Sequence, residues 1–94
     1  MSTEFEVQMA VLKGQFDRRL RHDSAELRSL RERPQANSED RIGEIAHRVA
    51  GLAAMFGYDD LTVLAKLADN AVQTGDNASA IDNFVAAVAR AVAA

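Results

Sequence analysis

The sequence contains no cysteine, one proline and five glycines in 94 residues. Without cysteine there is neither a disulfide framework nor a thiolate metal site, and a reducing compartment, by default the cytoplasm, is the expected setting. So little proline and glycine leaves little room for a loop-rich β fold. Long apolar runs are missing too. Met1 to Phe16 carries Glu4, Glu6 and Lys13 among its apolar residues and so lacks the uninterrupted core of a signal peptide. Val85 to Ala94 is rich in alanine but short and interrupted by Arg90, so no membrane partner is expected. Neither sign of charge dominates, and a net charge of −3 argues against a nucleic-acid partner. Glycine-rich phosphate loops of the GxxxxGK or GxGxxG type do not occur, so the chain is not expected to bind or hydrolyse a nucleotide.

What remains is an apolar, strongly patterned chain. Hydrophobic residues make up 48% against 27% charged, which excludes disorder, and 94 residues suffice for one compact core, hence a single domain over residues 1–94. Phe5, Met9, Leu12, Phe16, Leu20, Leu27 and Leu30 recur at helical spacing and predict one long first helix. Gly14 is where that helix is expected to bend, or to divide into a short leading helix and a longer one. Arg18, Arg19 and Arg21 read as a solvated face, while Arg28, Arg31 and Arg33 complement the helix dipole before Pro34.

Asn37 or Ser38 is expected to cap a second helix that carries Ile42, Ile45, Val49, Leu52 and Phe56 on one stripe and ends at Gly57. Asp59 or Asp60 is expected to cap a third, with Leu61, Leu64, Ala65, Ala68 and Val72 inward. Thr74-Gly75-Asp76-Asn77 supplies a stop, a turn and a cap, and Ile81, Phe84, Val85, Val88 and Val92 form the fourth stripe. Short connections force antiparallel neighbours, so the expected fold is all-α, an up-and-down antiparallel four-helix bundle.

One histidine stands out. At about 100° per residue His47 lies roughly opposite the apolar stripe of its helix, and its neighbours on that face are Gly43, Ala50, Gly51 and Ala54. Glycine inside a helix costs about 1 kcal/mol relative to alanine, so two of them suggest that a partner needs close access. A turn centred near Tyr58 brings to one height residues whose numbers sum to about 116, which sets His47 level with Asp69, and Ala50 with Lys66.

A surface imidazole beside a carboxylate suits reversible nucleophilic work. Asp69 can hold Nδ1–H and leave Nε2 free, and Lys66 can stabilise an attached phosphoryl group. The ordinary reading of Asp69 and Lys66 is an exposed i, i+3 pair, and a lone surface histidine is ordinarily just that.

His47-Arg48-Val49-Ala50-Gly51, followed by Phe56-Gly57 and Leu61, resembles the His-x-Leu-Lys-Gly signature of histidine phosphotransfer (Hpt) domains, and all 94 residues fit that family's helical bundle. The resemblance implies that His47 accepts a phosphoryl group on Nε2 from an aspartyl phosphate of a receiver domain and passes it to another receiver. It implies that Gly51 permits close approach and that Asp69 orients the imidazole. Response-regulator receiver domains and a hybrid histidine kinase are the implied partners, and a monomer is expected. No cofactor of its own is implied, and any Mg²⁺ belongs to the acidic pocket of the receiver. Val49 replaces the usual leucine harmlessly, but Ala50 stands where the family commonly has lysine. Lys66 is the first candidate to replace it and Arg48 the second, since Arg48 lies about 100° round the helix from His47. Met55, Val63 and Leu67 are candidates for extra docking area, although such residues ordinarily form the edge of a core.

Two other readings compete. Glu44-x-x-His47 resembles half of a di-iron site, but His22 is the only other histidine and no second pair exists. A non-phosphorylated Hpt-like module that docks and regulates a receiver or kinase is the stronger alternative.

Overall fold

A computed structural model describes residues 3–75 and 78–93. Four α-helices account for nearly all of them: α1 (Glu4–Glu32), α2 (Ser38–Ala53), α3 (Asp59–Thr74) and α4 (Ala78–Ala93). No strand occurs among the described residues. Each helix packs against the next and α4 closes back on α1, which gives the up-and-down bundle.

The helix ends follow from local chemistry. A 3₁₀ turn, Ala54–Phe56, tightens the end of α2 before Gly57, whose φ of +82° is the left-handed conformation that glycine reaches without strain. Gly75, at φ +71°, ends α3 in the same way. The expected side-chain caps do not form. Asn37 occupies the N-cap of α2 without a side-chain hydrogen bond, and Ser38 Oγ instead accepts from the Gln35 N–H at 2.7 Å. Tyr58 occupies the N-cap of α3, which leaves Asp59 and Asp60 in the first turn to complement the dipole. Asp76 and Asn77 lie outside the described residues. Thr3 and Glu6 form a capping box on α1, whose Thr-x-x-Glu spacing is its sequence signature although no cap was expected there.

Gly14 neither bends nor divides α1, which runs unbroken for 29 residues. One glycine lowers helix propensity by about 1 kcal/mol without removing a hydrogen bond, so the ladder continues through it. At 1.5 Å per residue α1 is roughly 43 Å long against roughly 24 Å for the other helices, and the molecule measures 50 × 21 × 20 Å. The first turns of α1 therefore reach past the bundle. Phe16, Leu20 and Leu27 are buried, but Phe5 is 70% exposed and Leu12 46%, so the stripe expected to be buried throughout is buried only over its C-terminal part.

The core is closed by Ile42, Ile45, Val49, Leu61, Ile81, Phe84 and Val88, with Ala46, Ala53, Ala65 and Ala68 letting helices approach closely. Leu52, expected in the core, is exposed. It lies toward the edge of its helix's inner face, where Ala46 and Ala53 fill the space instead. Polar ties reinforce the bundle. Tyr58 Oη donates to Asp17 Oδ1 at 2.8 Å, Arg41 Nη2 donates to Glu26 Oε1 at 2.9 Å, and Arg31 pairs with Asp82 on α4.

Candidate functional site

His47 projects from the outer face of α2, with its side chain 79% exposed. The reason is rotational: Ile45, Ala46 and Val49 take the buried face, which leaves position 47 outside. Its Nδ1 lies 2.9 Å from Asp69 Oδ2 on α3, and Nε2 has no hydrogen-bond partner among the described residues. Asp69 is mostly buried and is itself braced, since Gln73 Nε2 donates to its Oδ1 at 3.2 Å. Gln73 was not among the expected site residues. Its signal was present, because position 73 follows position 69 by one helical turn.

This arrangement favours one tautomer. A carboxylate facing Nδ1 accepts a hydrogen bond from Nδ1–H, so the Nε2 lone pair is the one left for a nucleophilic attack. Positive charge that develops on the ring when Nε2 is substituted is met by Asp69.

The remaining expected site residues do not all gather at the histidine. Lys66 lies one turn before Asp69 on α3, exposed and free of any ion pair among the described residues. Arg48 turns away to α1, where its Nη2 donates to Asp23 Oδ1 at 2.6 Å. Asp23 is fully buried and its Oδ2 has no partner, so Arg48 serves as the nearer counter-ion to a buried carboxylate that Arg19 Nε also approaches, at 3.5 Å. Arg48 is thus paired on the α1 side of α2 and not beside His47.

The small residues divide as well. Gly51 and Ala54 are exposed and Ala50 is half-buried, and a Cβ added at Gly51 would meet nothing within 4 Å. Gly43 is different: it is buried, and an added Cβ would fall 2.9 Å from Val72 Cγ1 on α3. Gly43 thus answers to helix packing against α3, whereas Gly51 faces open space. Met55, Val63 and Leu67 are each at least half exposed, so they are surface and not the edge of the core.

An open hollow beside His47 is lined by Asp40, Gly43, Glu44, Asp69, Val72 and Gln73. Its carboxylates are partly spoken for, since Glu44 accepts from Arg41 Nη1 at 3.1 Å and Asp69 faces His47. Among the described residues no group of three or more His, Asp or Glu side chains could hold a metal ion. Asp69 is the carboxylate that meets His47, and His22 is exposed on α1.

Fold and site together make an all-α bundle that presents an exposed imidazole whose Nε2 has no hydrogen-bond partner among the described residues. A family model described as "Hpt domain" matches residues 5–94, and the chain belongs to the Hpt domain family. The family works in the phosphotransfer of two-component signalling, together with receiver domains and kinases. Comparison with curated proteins and with solved structures gives no match. Among the described residues no helix is long and apolar enough to cross a membrane.

Proposed function

We propose that residues 1–94 act as one histidine-containing phosphotransfer domain that carries a phosphoryl group on His47 between receiver-domain aspartates in a cytoplasmic phosphorelay. The observation that carries this reading is the pairing of His47 Nδ1 with Asp69 at 2.9 Å, which leaves Nε2 unpartnered on an exposed face. In the forward step the Nε2 lone pair attacks phosphorus, an N–P bond forms, the P–O bond to the receiver aspartate breaks, and that aspartate leaves as a carboxylate. The ring keeps its Nδ1 proton and becomes a phospho-imidazolium held by Asp69. Mg²⁺ in the receiver neutralises charge on the transferred group. Lys66 takes the place of the lysine missing at Ala50, and Ala50, Gly51 and Ala54 form the face against which the receiver closes, with Met55, Val63 and Leu67 adding apolar area.

The experiment incubates the protein with a radiolabelled phosphorylated receiver. Acid-labile, base-stable label that disappears in His47→Gln supports phosphotransfer. Binding of receivers without any label transfer supports the docking-only module instead.

A further inference from the structure

The first three turns of α1 stand clear of the bundle and carry apolar side chains in water. Phe5 and Leu12 lie on one face of this overhang, and the same stripe continues into buried Phe16. Beside it, between α1 and the end of α2, runs a groove of about 470 Å³ lined by Leu12, Phe16, Leu52, Met55 and Phe56. Arg19 and Arg48 line its far end, one turn beyond Phe16 and one turn before Leu52. His47 does not line it, since it lies roughly 100° further round α2, toward α3.

We propose that the occupant of this groove is the overhang of a second copy of the chain, the two α1 helices crossing antiparallel at Leu12 with Phe5 of each copy seated in the groove of the other. Charge supports this choice. The overhang carries Glu4 and Glu6, whereas the part of α1 beside the groove carries Arg18, Arg19 and Arg21. An antiparallel pair centred on Leu12 brings position 4 of one copy to the height of positions 18 to 20 of the other. Like flanks meet in such a pair, and Glu4, Gln8, Gln15 and Arg18 share one flank of the Phe5–Leu12–Phe16 stripe. Opposite charges therefore meet at both ends, and Gln8 meets Gln15 between them. A parallel pair would instead set the two acidic ends at one height and the two basic segments at another. The apolar contents match as well, because an aromatic ring on the overhang enters a groove walled by leucine, methionine and phenylalanine.

A single helix crossing with one aromatic ring exchanged from each copy belongs to the interfaces of under about 1,200 Å², which are weak and transient. Self-association in the micromolar to millimolar range follows, in place of the expected monomer. It is separable from the phosphotransfer reading at the reacting residue, because His47 does not line the groove, while Met55 belongs to both surfaces.

Sedimentation velocity of the full chain from about 10 μM to about 1 mM brackets that class of affinity. The average mass is expected to rise with concentration toward twice the 10.2 kDa of one chain. Phe5→Glu is expected to abolish the rise without loss of helicity, since Phe5 supports no part of the bundle. Glu4→Arg and Arg18→Glu are each expected to weaken association and, combined, to restore it; Arg18 is used because Arg19 also contacts buried Asp23. With no native cysteine, Leu12→Cys is expected to form a disulfide-linked dimer under mild oxidation, whereas Phe5→Cys is not. A mass that stays at one chain throughout, association unaffected by Phe5→Glu, failure of the double charge swap to recover, or equal cross-linking of Phe5→Cys and Leu12→Cys overturns the proposal.

Discussion

His47 and Asp69, 22 positions apart, meet through Nδ1 and Oδ2 at 2.9 Å across the α2–α3 contact, and Gln73 steadies the other oxygen of the same carboxylate. Removing Asp69 should release the tautomer preference while leaving the bundle folded. Asp69→Ala is expected to slow single-turnover phosphoryl transfer on the order of ten- to a hundredfold, the usual cost of losing a group that orients a functional histidine. Gln73→Ala should show the same effect in smaller degree. Both are read by the loss of label from a phosphorylated receiver, with circular dichroism as the check on folding.

Arg48 and Lys66 should separate cleanly. Arg48→Ala leaves fully buried Asp23 with only Arg19 nearby, at 3.5 Å, so a loss of about 3 kcal/mol in unfolding free energy is expected, with transfer per folded molecule little changed. Lys66→Ala should do the reverse, slowing transfer and leaving the urea midpoint in place. Equal effects of the two substitutions on transfer would contradict this division.

The two glycines on α2 predict opposite signs. Gly43→Ala drives a methyl against Val72 and should destabilise the bundle by about 1–3 kcal/mol, with partial recovery in Gly43→Ala/Val72→Ala. Gly51→Ala meets nothing, so the gain in helix propensity should stabilise by up to about 1 kcal/mol. A bulky residue at Gly51 should block transfer while helicity persists. Thermal melts and transfer assays on the same variants check both halves.

Acid should loosen the ties between α1 and its neighbours. The Lys13 ammonium holds the Asp17 carboxyl below its ordinary value, with partial burial opposing, and the Arg41 guanidinium does the same to Glu26. Carboxyls depressed in the folded state are protonated first in the unfolded chain, so their contribution is present above about pH 4 and is lost as pH falls through the folded values. Stability should therefore be level near neutrality and decline below about pH 4. Asp17→Asn and Glu26→Gln should each flatten part of that decline in a pH series of denaturant melts.

Helix order and the C-terminal ends of α2 and α3 are legible in the sequence because Gly57 and Gly75 sit where left-handed residues are needed and because the stripes keep a helical period. The height match of His47 with Asp69 is legible for the same reason, since a short turn fixes the register of a hairpin. Direction of the long side chains is not. Arg48 is drawn to Asp23, a charge that the periodicity of α1 places among apolar neighbours and that no local rule pairs with a residue 25 positions away. Gly43 reads like Gly51 until the neighbouring helix is present, because only Val72 distinguishes a glycine needed for packing from one that leaves space. The exposure of Phe5 and Leu12 likewise depends on the lengths of the partner helices, which a single stripe does not encode.

The most direct test of the central claim is the site of the N–P bond. Long-range ¹H–¹⁵N correlation spectra of ¹⁵N-histidine-labelled protein, taken before and after incubation with a phosphorylated receiver, read both ring nitrogens of His47. Phosphorus on Nε2, with Nδ1 still protonated against Asp69, is the predicted result; phosphorus on Nδ1, or a His47 ring that never changes, contradicts it.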